Sequence, residues 1–249
     1  MPGVEGYDDS TYGRAFADVY DEWYAGISDV DTTVADLVDL AGDGPVLELG
    51  VGTGRLAIPL AERAPHLTVI GVDSSPDMLA RLLAHDRPAT LHVQHGDMVD
   101  GLPDGPCALV FVAYNTIFNL LTAERQAACF AAVAARLRPA GRFVVEAFVP
   151  EDPPRDGDHV EVRTLAADRV VLSVSRHDAG MQRADGQFVE LTEAGGVRLR
   201  PWSIRYAEPA ELDAMADAAG LAVERRWEAF GGAPFDATSA RHVTIYRRR

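Results

Sequence analysis

The stretch that decides the fold is Val46-Leu47-Glu48-Leu49-Gly50-Val51-Gly52-Thr53-Gly54. A short apolar run reads as a strand, and the glycines after it let the backbone turn tightly and approach a ligand closely. A helix is expected from about 54 to 63. Downstream the alternation continues. Leu67 to Val72 reads as a second strand, and Ser74-Ser75-Pro76 as a helix start with a serine cap and proline in the first turn. Leu91 to Gln94 is a third strand and Ala108 to Ala113 a fourth, almost wholly apolar as in a strand buried on both faces. A helix over 123–137 and a strand over 142–148 follow. Strands alternating with helices predict a Rossmann-like, doubly wound, mostly parallel sheet of the α/β class, seven-stranded once the C-terminal strands are added.

Outside this core the patterns differ. Tyr12, Phe16, Val19, Tyr20 and Trp23 share one helical face, so residues 10–26 read as one amphipathic helix after a loose start at 1–10. A second helix is expected over 29–41, stopped by Gly42 and Gly44-Pro45. After Pro150, strand-like runs at 160–165, 170–175, 187–191 and 197–204 are separated by turns such as Asp185-Gly186 and Gly195-Gly196. The chain thus divides into an N-terminal helical lid (1–44), a core (45–150), an antiparallel β insertion (151–206), and a C-terminal helix (208–219) with strands at 221–229 and 242–247 that complete the core sheet.

Composition narrows the partners. The net charge of -15 over 249 residues disfavours nucleic acid, whose binding needs Lys and Arg to neutralise phosphates. Cys107 and Cys129 form no CxxC pair and read as reduced core residues. No basic leader, no apolar leader and no membrane-length apolar window is visible, so a cytoplasmic protein without a membrane partner is expected.

Two acids sharpen the glycine loop. The second strand ends in Gly71-Val72-Asp73, and Asp73 lies nineteen residues past Gly54, where a carboxylate can hold both ribose hydroxyls of an adenosine. The third strand ends near Gly96-Asp97-Met98, where Asp97 can reach an adenine amino group and Met98 can line the base pocket. Both acids fall at carboxyl ends of adjacent strands, where open α/β sheets bind ligands. The dinucleotide fingerprint is not met: Arg55 stands where its third glycine belongs.

With these residues in hand, the chain resembles the class I S-adenosylmethionine (SAM)-dependent methyltransferases. The matching segments are ELGVGTGR (48–55), VIGVDSSPDML (70–79), HGDM (95–98), LVFVAYNTIFNL (109–120) and LRPAGRFVVEAF (137–148). The helical start GRAFADVYDEWYAG (13–26) and the insertion after the fifth strand are similar to small-molecule N-methyltransferases, including the glycine N-methyltransferases and the amino-sugar and lincosamide enzymes of actinomycete antibiotic pathways. O-methyltransferases of natural-product pathways share the same start. The resemblance implies SAM as cofactor, S-adenosylhomocysteine (SAH) as its product, and no metal. It assigns Gly50 and Gly52 to the methionine part of SAM, with Glu48 beneath it. Asp73 would bind the ribose, Asp97 and Met98 the adenine, and the Ala113 backbone the methionine amino group. Ser74 and Met78 complete the cofactor set.

The acceptor side is less specific. Tyr12 and Tyr20, with Tyr24 one turn on, are either the buried face of a helix or a lid that orients the nucleophile. The resemblance favours the lid for Tyr12 and Tyr20 as catalytic residues and Tyr24 as a substrate contact. Asn115 and Phe118, after the fourth strand, are expected at the substrate. Glu146 is either a paired carboxylate or a substrate contact. His92 and His95 are three apart on a strand and point to opposite faces, so they form no metal pair, and no clear general base is visible. A small-molecule amine is the expected acceptor. A metal-independent O-methyltransferase and a SAM-binding protein without turnover remain open, and a homo-oligomer is expected through the insertion strands.

Overall fold

A computed structural model describes residues 4–8 and 10–249. The expectation of a loose start falls partly on residues 1–3 and 9, which lie outside the described residues. The core strands are β1 (Val46–Leu49), β2 (Val69–Asp73), β3 (Leu91–His95), β4 (Cys107–Val112) and β5 (Leu137–Phe148), all parallel where they pair. Four strands of a separate sheet follow: β6 (Gly157–Leu165), β7 (Arg169–Asp178), β8 (Arg183–Thr192) and β9 (Val197–Arg205). The chain returns with β10 (Leu221–Trp227) and β11 (Arg241–Arg248), and β11 pairs antiparallel with β5. The main sheet therefore runs β10-β11-β5-β4-β1-β2-β3 in seven strands, and the small one β6-β7-β8-β9.

Period-two alternation explains the layers. On β4, Leu109 and Phe111 join one core with α3 (Val30–Ala41), α4 (Ala57–Arg63) and α5 (Pro76–Ala84). Val110 and Val112 join the opposite core with α6 (Ala123–Arg136) and α7 (Pro209–Ala218). Helices on both faces bury the sheet and leave its strand ends as the open surface for a site.

The start of the chain differs from the single helix its pattern predicts. It forms two short helices, α1 (Thr11–Phe16) and α2 (Tyr20–Tyr24). Arg200 of β9, buried at 1% exposure, causes the break. Its guanidinium donates to the Ala15 carbonyl, the group that Val19 N–H would bond in a continuous helix, and Val19 N–H turns to Phe16 O at 3.0 Å. Arg200 also pairs with Asp18 at 2.7 Å and with Glu190 at 3.0 Å. Phe16, Trp23, Phe188 and Trp202 fill the space between the helices and the small sheet. The N-terminal helices are thus fixed to the insertion.

The turn expected at Asp185-Gly186 is a second departure, because both residues lie inside β8. Gly186 pairs across the sheet with Trp202, and a Cβ on it would come within 2.4 Å of that indole. The glycine serves side-chain packing, and the chain instead reverses over residues 179–182. Gly195-Gly196 does form the following turn. Among the described residues no helix is long and apolar enough to cross a membrane.

Candidate active site

The loop after β1 is built by backbone contacts that the glycines permit. Gly50 N–H and Val51 N–H both donate to Val72 O, at 2.8 and 3.0 Å. Gly50 and Gly52 have φ of +66° and +56°, a left-handed conformation that side chains resist. A Cβ on Gly50 would collide with Thr116, whereas Gly52 faces open space inside the pocket.

That pocket lies over the carboxyl ends of β1, β2, β3 and β4. Tyr12, Tyr20, Gly50, Gly52, Asp73, Ser74, Met78, Asp97 and Met98 line it. These nine come from four separate stretches of chain, and each is a residue that the sequence assigns to cofactor or catalysis. Gly13, Ser75, Gly96, Thr116, Asn119 and Leu120 also line it; they fall within the motif segments, but the sequence assigns none of them a role at the cofactor or the acceptor. Gly13 has a steric reason, since a Cβ there would overlap Ser75, whose hydroxyl caps α5 by accepting from Met78 N–H.

The two acids are held differently. Asp73 takes Gly52 N–H on one carboxylate oxygen and Ser75 N–H on the other, each at 2.8 Å. Burial raises its pKa, opposed by those two backbone donors. Each oxygen keeps a second lone pair, so the carboxylate can accept one more donor on each side, as a ribose diol offers. Asp97 gathers Val99 N–H, Asp100 N–H and Arg125 Nη2 on Oδ1 alone, which leaves Oδ2 for an exocyclic amine. Arg125 sits on α6, twenty-eight residues from Asp97, and nothing local in the sequence links the two.

Glu48 lies beneath the loop, 4% exposed. Burial pushes its pKa up to about 8, with Arg55 pulling down and Asp73 pushing further up. Its Oε2 is buried without a hydrogen-bond partner, a costly arrangement unless a cation or donor meets it. The ammonium of a methionine moiety has that chemistry. The open face at Gly52 and the spare lone pairs of Asp73 and Asp97 fit SAM, while Glu48 lies behind the loop and is not among the pocket-lining residues. Ala113, 8% exposed, follows β4 next to this loop and is not among the pocket-lining residues.

Beside the pocket four tyrosines meet. Tyr12 donates to the Tyr24 hydroxyl at 3.2 Å. The Tyr24 ring lies 4.7 Å from Tyr20 and 5.7 Å from Tyr114. Burial raises the pKa of Tyr12, Tyr20 and Tyr114. These phenols therefore stay protonated through the neutral range, with hydroxyls available for hydrogen bonding. Tyr24 is itself buried and reaches the pocket through Tyr12.

Tyr114 and Asn115 adopt φ of +45° and +65°, a strained turn for residues other than glycine. Glu146 clamps it. Its carboxylate accepts Tyr114 N–H at 2.9 Å, and its backbone carbonyl accepts Asn115 N–H at 3.0 Å. Glu146 is thus the paired carboxylate of the two alternatives. The Asn115 amide oxygen accepts Phe148 N–H at 2.7 Å, which turns that side chain into the fold. Phe118, expected at the substrate, is fully buried and packs edge-on to Phe148 at 4.9 Å. The 3-10 turn at Thr116–Asn119 rotates it inward and presents Thr116 and Asn119 to the pocket instead. His95 bonds Ser74 O at 3.1 Å. Among the described residues, no three His, Cys, Asp or Glu side chains cluster to hold a metal.

Residues 46–141 match a methyltransferase-domain family model. The chain is also similar in structure to the CcbJ methyltransferase from Streptomyces caelestis, at 39% identity and a TM-score of 0.90, covering 97% of this chain and 99% of that one. The chain belongs to the SAM-dependent methyltransferases. Among curated relatives, a cypemycin N-terminal methyltransferase of Streptomyces is 27% identical over 82% of this chain and 83% of its own. A trans-aconitate 2-methyltransferase of Streptomyces coelicolor is 31% identical over 65% of this chain, an alignment that spans 54% of that protein.

Proposed function

We propose that this methyltransferase alkylates an amine nitrogen of a small molecule without help from a metal. The observation that carries this is the group of protonated tyrosines beside the cofactor pocket, whose lining includes no histidine among the described residues. A hydroxyl acceptor needs a base or a metal to develop oxyanion character, whereas a neutral amine brings its own lone pair. SAM supplies a methyl group on a sulfonium that leaves as a neutral thioether. The chain then has to align and desolvate. In this reading Tyr12 and Tyr20 accept the amine N–H and aim the lone pair. Residues 11–24 act as the lid, with the insertion over residues 151–206 behind it, and Tyr24 holds Tyr12 in place. Asp73 and Asp97 hold the adenosine end. The cypemycin relative is by name an N-terminal methyltransferase, in keeping with an amine acceptor.

The test is methyl transfer from isotope-labelled SAM to matched amines and alcohols, including amino sugars. An N-methyl product is expected, with a rate that falls as the amine protonates and an inflection at the amine's own pKa. An O-methyl product with no such inflection would overturn the assignment.

The insertion also supports a homodimer. By register, Val160, Val162 and Leu165 of β6 share one face with Val174, Leu191, Val197 and Leu199. These seven are 38–78% exposed. Four strands of about nine residues present roughly 550 Å2 of sheet, so two copies face to face bury about the 1,000 Å2 that a stable interface requires. A second copy suits this face because Asp158 and Asp185, which share it, are already paired with Arg176 and Arg183, so two chains of charge -15 can meet there with their facing carboxylates partly neutralised. A dimer mass by light scattering, lost in the double variant Val162→Glu/Leu199→Glu, is the expected outcome. A monomeric wild-type protein would refute it.

A further inference from the structure

Eight arginines lie between residues 151 and 206. Seven of them pair with a carboxylate: Arg155, Arg169, Arg176, Arg183, Arg198, Arg200 and Arg205. Arg163 is the exception among the described residues. It is exposed, on the edge strand β6.

The strand is shaped to aim it. Val162 pairs with Leu172 and Thr164 with Val171, so Arg163 is the extra residue of a β-bulge. A bulge redirects a side chain and is a feature found beside active sites. Here it turns the guanidinium toward the N-terminal helices. Its Cζ lies 4.8 Å from the Trp23 ring, 4.8 Å from Phe188 and 5.6 Å from Tyr24. Tyr24 is the hub of the tyrosine group, and the charge of Arg163 reaches Tyr114, whose pKa it pulls down against the larger effect of burial.

Aromatic rings stabilise a guanidinium through its flat face. They leave its in-plane N–H donors free, and that fork matches a carboxylate or phosphate. A solvent-side arginine whose only role was solubility would need neither a bulge nor three rings to hold it still. Held in this way, the side chain gives up less conformational freedom when an anion docks.

We infer that Arg163 is the anchor for an anionic group on the methyl acceptor, so that the substrate is a small amine bearing a carboxylate or a phosphate. This rests on the tyrosine group being the acceptor site. The nucleophilic end would meet Tyr12 and Tyr20, and the anionic end the guanidinium held against Trp23, Phe188 and Tyr24. Arg163 is then a specificity residue, remote from the transferred methyl.

The test uses two matched pairs, L-proline against L-prolinamide and glucosamine 6-phosphate against glucosamine, titrated calorimetrically into the SAH-loaded protein. The charged member of at least one pair is expected to bind on the order of 10- to 100-fold more tightly, and which pair does so separates carboxylate from phosphate. Arg163→Met keeps the side-chain length and should abolish that preference with SAH affinity unchanged. Arg163→Lys should restore part of it. Equal binding of both members in both pairs, including no binding of either, overturns the proposal, as does a preference that survives in Arg163→Met. The readout is binding alone, so failure of N-methyl transfer is seen separately.

Discussion

Glu48→Gln keeps the shape of a side chain beneath the cofactor loop and removes its ability to ionise. In the folded chain burial moves this carboxyl from 4.5 to about 8, while an unfolded chain releases the proton near the ordinary value. Between those two pH values the folded state holds a proton that the unfolded state has lost. Stability therefore falls as pH rises from about 4.5, and the loss is complete above about 8. At 1.36 kcal/mol per pKa unit, the whole interval is worth at most ~5 kcal/mol, and the part between pH 5 and pH 7 about 2–3 kcal/mol. Glutamine suffers no such loss. Urea denaturation of the cofactor-free protein at pH 5, 6, 7 and 8 should show the variant gaining on the wild type by that amount. Parallel pH profiles would refute the reasoning. The cofactor supplies a second check. A methionine ammonium beside Glu48 favours the ionised carboxylate, so binding SAM at pH 7 should release a proton in the wild type and none in Glu48→Gln. Calorimetry in buffers of different ionisation enthalpy reads this directly.

Other changes separate the cofactor from the acceptor and the fold. Asp73→Ala should weaken SAM binding by about 1.5–3 kcal/mol through lost charge-assisted hydrogen bonds; unchanged affinity by calorimetry would remove the ribose from that strand end. Tyr12→Phe breaks the bond to Tyr24 and should lower kcat while SAM affinity stays within about 0.5 kcal/mol; an unaltered kcat would make the tyrosine a packing residue. Phe118→Ala should cost about 3–5 kcal/mol of stability, as for a fully buried phenylalanine; a variant as stable as wild type but inactive would return Phe118 to the substrate. Arg200→Met removes the buried guanidinium from Asp18 and from Glu190, which keeps only its 3.7 Å contact with Arg169, for an expected loss of about 3 kcal/mol in urea denaturation. Unchanged stability there would mean that the N-terminal helices do not depend on the insertion.

The sequence by itself determined the core. Strand period, serine caps and the Gly50–Gly54 turn are local features, set by backbone sterics and by burial on both faces of a sheet. They carry Asp73 and Asp97 to adjacent strand ends wherever the rest of the chain goes, and for that reason the residues gathered at the pocket were legible. The acceptor side depended on the tertiary structure. Whether residues 10–26 form one helix or two is decided by Arg200, which arrives from more than 180 residues away and takes the Ala15 carbonyl. Phe118 and Thr116 are both polar-or-apolar choices on one short turn, and only the rotation of that turn decides which meets the pocket. Arg125 behind Asp97 and Arg163 above Trp23 are pairings across the fold, made by long side chains whose targets no local period encodes. Local geometry fixes what repeats along the chain, while contacts between distant segments fix where a side chain ends.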